Sequence, residues 1–119
     1  MNRYLTRCFA TAVLAIGVAA SAAAHHGWSD YDEKKPLTVE GTITASTYTN
    51  PHGTMKFDVD GKVWDVVLAP VARMQTRGLT QEMLKVGTRA TVVGYQHRET
   101  PTEMRAENVT VAGKKVELR

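Results

Sequence analysis

From Leu37 onward, apolar and polar residues alternate with period two. Val39, Gly41, Ile43 and Ala45 alternate with Glu40, Thr42, Thr44 and Ser46, the pattern of a strand with one face on a core. Asn50-Pro51-His52-Gly53 is a turn cluster. Met55, Phe57 and Val59 then alternate with Lys56 and Asp58, and Asp60-Gly61 is a strong hairpin signal. A third strand follows, with Trp64, Val66 and Leu68 on its inner face. Pro70 opens a helix over 71–77, with Gly78 as its stop and Arg77 complementing its C-terminal dipole. Thr80 caps a second short helix over 81–85, which Gly87 follows. Strand four covers 89–96 with Ala90 and Val92 facing in, 97–102 is a turn containing Pro101, and strand five covers 104–111. Ala112-Gly113 turns the chain into a short closing strand over 115–118. Three meandering strands, a helical connection and two or more further strands predict a mainly β fold. The element order is that of a small OB-like barrel of five to six strands, with a short helical connection between strands three and four. An open meander of five or six strands with a helix on one side is the competing arrangement.

The first residues follow a different rule. Arg3 and Arg7 form a positive segment, an apolar run extends from Cys8 to Ala20, and Ser21-Ala22-Ala23-Ala24 supplies small residues. This is the three-part build of a cleavable secretory signal. The apolar run is shorter than the roughly 18–20 residues a spanning helix needs. Cys8 precedes that run, whereas a lipid-modified cysteine follows it. The expected organisation is a signal peptide over 1–24, an N-terminal arm over 25–36 and one β domain over 37–119. The expected location is the periplasm or the exterior, with no membrane span in the mature chain.

Cleavage changes the charge. The whole chain has 15 basic and 12 acidic residues. Arg3 and Arg7 leave with the signal, so the mature part has 13 basic against 12 acidic residues, a net +1 with neutral histidine. The basicity of the precursor is largely a targeting feature, and nucleic acid is not an expected partner. Cys8, the single cysteine, also leaves. A metal site in the mature chain must therefore use histidine, methionine, carboxylate or backbone nitrogen. Gly-rich phosphate loops, a Gly-x-Ser-x-Gly elbow and a His-Glu-x-x-His pair are all absent from the sequence, so no enzyme is predicted.

The candidate chemistry lies in the four histidines. Cleavage after Ala24 gives a chain starting His25-His26-Gly27-Trp28. The free amine and the imidazole Nδ1 of His25 would form a two-nitrogen bite, and one further imidazole would complete a T-shaped set suited to Cu(II). Cleavage after Ala23 would place His26 third, the position for a square-planar Cu(II) or Ni(II) site. His52 lies in the loop between strands one and two, and His97 at the entry to the loop between strands four and five. In an OB barrel these loops share one mouth, so His25, His26, His52 and His97 are the expected metal ligands and copper the expected ion. Glu99 and Met104 lie near His97 in sequence and would also reach the mouth, where a thioether suits Cu(I). Trp28 and Tyr31 are expected to pin the arm to the barrel, or to shield a metal or stack a sugar. Trp64 is expected in the core, and Arg105 and Glu107 on an exposed strand face.

His25-His26-Gly27-Trp28-Ser29, Tyr31-Asp32, Asn50-Pro51-His52-Gly53, Trp64, Arg77-Gly78-Leu79, Val86-Gly87, Gly94-Tyr95 and Met104-Arg105-Ala106-Glu107 together resemble a family of small secreted proteobacterial proteins of unknown function. The resemblance spans the mature chain and implies export and a small β-rich domain. Three functions are compatible with these features. One is an exported copper-binding protein. Another is a non-metal binding module whose mouth holds an oligosaccharide, a small ligand or an envelope protein. The third, a copper-dependent oxidative enzyme, is disfavoured by the small size of the chain.

Overall fold

The computed structural model describes residues 27–119; the expected signal segment, His25 and His26 lie outside the described residues. The alternating runs form β1 (Tyr31–Thr47), β2 (Thr54–Val59), β3 (Lys62–Val67), β4 (Arg89–His97), β5 (Glu103–Val111) and β6 (Lys114–Glu117). One helix, α1 (Val71–Arg77), lies between β3 and β4. The strand order is β3-β2-β1-β4-β5-β6, with an additional pairing of β3 to β5. Sheet neighbours are antiparallel, whereas β3 runs parallel to β5 through Asp65↔Glu103, Val66↔Met104 and Val67↔Arg105. Those three rungs join β1, β2, β3, β5 and β4 into a barrel-like ring. They rule out the open meander and give the OB-like order.

The inner face holds Ile43, Phe57, Trp64, Val66, Val92 and Val109, and α1 adds Met74. Pro70 precedes the helix and Gly78 ends it in the left-handed region, as the sequence predicts. Arg77 is the basic residue of the last turn, as expected, and its Nη1 also donates to the carbonyls of Glu117 and Arg119, each at 2.8 Å, which ties the helix to the end of β6. The second helix is a single 3-10 turn, Glu82–Leu84. Thr80 Oγ1 accepts the Met83 N–H at 3.3 Å.

Three expectations need correction. β1 begins at Tyr31, not Leu37. Tyr31 pairs with His97 and Pro36 with Tyr95, so β1 advances five residues while β4 advances two. The polar residues 32–35 swell outward, which erases the period-two signal there. Ala45 does not face the core, because a register shift between Ile43 and Ala45 inverts the alternation. Ser46 turns inward instead and donates to the Leu84 carbonyl at 2.8 Å. Met104 cannot reach the mouth: it is fully buried in the core. Among the described residues no helix is long and apolar enough to cross a membrane.

Candidate functional site

The loop after β1 and the end of β4 meet at one mouth of the ring. A cavity of about 250 Å³ there is lined by Asp30, Tyr31, His52, Val67, His97, Glu103 and Arg105. Two histidines 45 positions apart thus share one wall, as the loop argument predicts. The loop that carries His52 is pinned on its C-terminal side. Gly53 donates to the Ala69 carbonyl and accepts from the Leu68 N–H, each at 2.9 Å. A Cβ at Gly53 would stand 2.7 Å from Met74 Cε, the movable end of a flexible side chain, and 3.1 Å from the Thr47 carbonyl oxygen, so the turn packs closely against its surroundings. The His52 Nδ1 is buried and has no hydrogen-bond partner among the described residues.

His97 is committed to its surroundings. Its Nδ1 accepts the backbone N–H groups of Glu99 and Thr100, both at 3.1 Å. That pattern assigns the neutral ring's proton to Nε2, which lies 3.5 Å from Glu103 Oε2. The Tyr31 hydroxyl donates to the same carboxylate oxygen at 3.0 Å, and the Tyr31 ring meets the His97 ring edge-on with centroids 5.2 Å apart. Burial, and after it the charge of Glu103, raise the Tyr31 pKa well above its ordinary value.

The Tyr31 shift has a consequence for stability. The folded phenol holds its proton to higher pH than the unfolded one. Its stabilisation is complete below the unfolded value near 10 and is lost as pH rises through the folded value. Stability measured by urea unfolding is therefore expected to fall above pH about 10. Tyr31→Phe should flatten this alkaline limb, leaving the smaller slope from Tyr48, whose pKa is also raised by burial. At neutral pH the substitution should cost about 1.5–3 kcal/mol for the lost bond to a carboxylate. Superimposable alkaline limbs would contradict the Tyr31–Glu103 assignment.

The chain reaches this mouth through a clamped segment. Residues Trp28–Asp30 form one 3-10 turn. The Trp28 ring lies 4.5 Å from the Arg105 guanidinium and 4.3 Å from that of Arg119, and meets the Tyr95 ring edge-on at 5.9 Å. Cation–π contacts of this kind contribute about 0.5–1 kcal/mol each at exposed sites. Arg119 also pairs with Glu33 at 2.7 Å and lies 3.8 Å from Glu107. Arg98 adds two bonds, from its N–H to the Asp30 carbonyl at 2.8 Å and from Nε to the Ser29 carbonyl at 3.0 Å. Arg105 and Glu107 are therefore not a solvated strand face. Burial lowers the Arg105 pKa, and its β5 position lets it both wall the cavity and stack on Trp28.

His52 and His97 lie together at the cavity; His25 and His26 fall outside the described residues. Glu99 is exposed, and only its backbone N–H serves the site. Tyr31, expected to pin the arm or to shield a bound group, lines the cavity, and Asp30, Glu103 and Arg105 line it without having been singled out for it from the sequence. The parallel rungs of β3 and β5 bring Glu103 and Arg105 there, a pairing with no local signature. Among the described residues, no group of three or more His, Cys, Asp or Glu side chains is arranged to hold a metal ion.

No curated protein matches the chain. Among solved structures it is similar to the crystal structure of the ZRD-deleted mutant of TiaS in complex with agmatine, with 17% identity and a TM-score of 0.51. The match covers 74% of this chain and 25% of the other. The chain thus spans about a quarter of that protein, and the likeness is one of fold alone. A family model matches residues 12–105, from the expected signal segment through β1–β4 to Arg105 at the mouth, and the chain belongs to that family, the family of unknown function DUF6152.

Proposed function

We propose that the protein is exported to the periplasm and binds Cu(II) at the mouth of its ring, between a mature N-terminus beginning at His25 and the imidazole of His52. The observation that carries this reading is the shared cavity: His52 and His97 line it together with Asp30, which is only four positions beyond His26. The amine and imidazole of an N-terminal His25 supply two nitrogens, and His52 supplies a third. Such nitrogen sets rank copper highest among the divalent ions. His52 is the better ligand of the two mouth histidines, because its Nδ1 has no hydrogen bond to lose among the described residues. Coordination at His97 Nε2 would move the ring proton to Nδ1, against two backbone N–H donors. His97 therefore shapes the mouth while His52 ligates.

The test is a Cu(II) titration of protein recovered from the periplasm, with mass spectrometry expected to show a chain beginning at His25. Binding should be one-to-one, with several nitrogen ligands in the spin-resonance spectrum. Acetylating the amine or changing His25 to Ala should abolish tight binding. His52→Ala should weaken it about a hundredfold, the lower end of the range for removing one linked binding group. His97→Ala should act chiefly on stability. Affinity should fall as pH drops, because protons compete for the same nitrogens. Parental affinity in His52→Ala would reduce the terminus to a chelating tail. A second reading follows from the mixed lining of the cavity, with Asp30 and Glu103 against Arg105 and two imidazoles. It is a non-metal binding module for a small polar ligand, and it gains ground if Cu(II) binding proves independent of His52.

A further inference from the structure

We infer that the cavity binds a small free α-amino acid: Glu103 receives its ammonium group, Arg105 its carboxylate, and Val67 and Tyr31 flank its side chain. The inference rests on the second reading above, the cavity as a site for a small polar ligand. It starts from two opposite charges that one strand sets side by side and the fold keeps apart. Glu103 and Arg105 are two positions apart on β5, so their side chains leave the strand on one face, with Cα atoms about 6.6 Å apart. A purely structural pair at that spacing closes on itself. Here the Glu103 carboxylate turns to the Tyr31 hydroxyl at 3.0 Å and to His97 Nε2 at 3.5 Å. The Arg105 guanidinium turns to the Trp28 ring at 4.5 Å. Both residues still line one cavity of about 250 Å³, which therefore has a negative pole and a positive one.

The chemistry of the two poles matches a zwitterion. The Tyr31 hydroxyl engages Glu103 Oε2, while Oε1 takes no hydrogen bond among the described residues. A carboxylate accepts on both oxygens, and an ammonium group brings three donors. His52 Nδ1, buried and without a hydrogen-bond partner among the described residues, is a further acceptor for one of them. Asp30, on the same wall, strengthens the negative pole. Stacking on Trp28 uses the face of the Arg105 guanidinium, whereas its N–H donors lie in the plane, in the fork that fits a carboxylate. The signs of the charges then select the ligand. A simple anion gains Arg105 but meets two carboxylates. A simple cation gains the carboxylates but meets the guanidinium. Only a ligand carrying both charges meets each with its opposite. The cavity is also smaller than the about 300–1,000 Å³ of pockets for drug-sized ligands, which favours a molecule with its two charges on neighbouring carbons.

The experiment titrates the purified protein with L-alanine, L-valine, L-lactate and L-alaninamide, read by amide chemical shifts in nitrogen-15 NMR spectra. L-Lactate keeps the carboxylate and lacks the ammonium group, and L-alaninamide does the reverse. At least one amino acid is expected to shift the amides of His52, Val67 and Glu103. It should bind about tenfold or more tightly than either analogue, the cost of losing one charge-assisted hydrogen bond. Glu103→Gln, which keeps an oxygen for the Tyr31 hydroxyl, should weaken the amino acid about tenfold, the step from a charged to a neutral hydrogen bond, and should not weaken L-lactate. Arg105→Gln should weaken the amino acid similarly and should not weaken L-alaninamide. A damaged fold would weaken every probe alike, so the crossed pattern belongs to the site. Glu82→Gln, at an exposed carboxylate outside the cavity, should change nothing. An analogue that binds as tightly as the amino acids overturns the zwitterion and leaves the small-ligand reading standing. No shift at these amides with any of the four probes overturns both. Parental amino-acid affinity in Glu103→Gln overturns the assignment of the poles. Should Arg105→Gln fail to fold by circular dichroism, the four probes on the parent protein and on Glu103→Gln decide by the same criteria.

Discussion

Gly41→Ala and Gly94→Ala are each expected to destabilise the domain by at least about 3 kcal/mol, the upper range for forcing extra atoms into a packed interior. A Cβ at Gly41 would stand 2.2 Å from the Asp58 carbonyl oxygen, and one at Gly94 would stand 2.2 Å from that of Arg105. Both obstacles are backbone atoms and cannot rotate away. The two sites are places where the ring bends. β1 is paired to β4 through Thr42↔Arg89 and to β2 from Thr42↔Asp58 onward, so Gly41 lies where one strand begins to serve two partners. Gly94 lies at the register shift between β4 and β5. Strands that coil this sharply bring neighbouring backbones close, and only glycine leaves room. Against the about 5–15 kcal/mol that holds a typical domain together, two such losses, about 6 kcal/mol together, unfold a domain at the lower end of that range. Urea unfolding checks the single variants, and far-ultraviolet circular dichroism checks the double. A loss within about 0.5 kcal/mol, typical of open surface positions, would contradict the close approach.

The fold was legible wherever its signal is local. Period-two alternation marks the inner faces of β2, β3 and β4, Asp60-Gly61 marks the hairpin, and Pro70 with Gly78 brackets α1 at 71–77. Legibility stops where the backbone breaks its own periodicity. The register shift near Thr44 turns Ala45 out and Ser46 in. The polar run Asp32-Glu33-Lys34-Lys35 carries no alternation, although β1 passes through it. The parallel rungs between β3 and β5 join residues about 38 positions apart. They depend on the ring closing and on no motif within either strand.

The site was half legible for a related reason. Loop positions bring His52 and His97 to one cavity, and OB-like topology was enough to expect that. What each imidazole does there depends on its neighbours. His97 is held by backbone N–H groups two and three residues further on, a turn bond that a lone histidine in a sequence does not announce. Met104 is placed by its strand register, whose alternation turns it into the core, rather than by its nearness to His97. Trp28 was readable as an anchor, but its partners Arg105 and Arg119 come from β5 and from beyond β6, far away in the chain.

Trp64→Ala is expected to lower the unfolding free energy by about 3–5 kcal/mol, the usual cost of deleting a large buried aromatic. Trp64 is 9% exposed and faces Phe57 directly across the β2–β3 ladder, with both rings in the core. The Lys62 ammonium lies 5.2 Å from the Trp64 ring centre, but an exposed contact of that kind contributes only about 0.5–1 kcal/mol. Most of the loss must come from the cavity. Val63, the next residue in β3, is 48% exposed, and Val63→Ala should change stability by no more than about 0.5 kcal/mol. Equal effects at the two positions would invert the face assignment of β3. The location of Trp64 adds a second expectation. The rungs that close the ring begin at the next residue, Asp65, whose N–H donates to the Thr102 carbonyl at 2.8 Å, and they end at Val67 opposite Arg105. Val67 and Arg105 are both walls of the candidate cavity. A void under Trp64 should therefore loosen the closure first, and hydrogen exchange at the Asp65 amide should accelerate more than at Val92, which lies on the other side of the ring. Uniform acceleration would show that the ring opens as one unit, with no weak seam at the mouth.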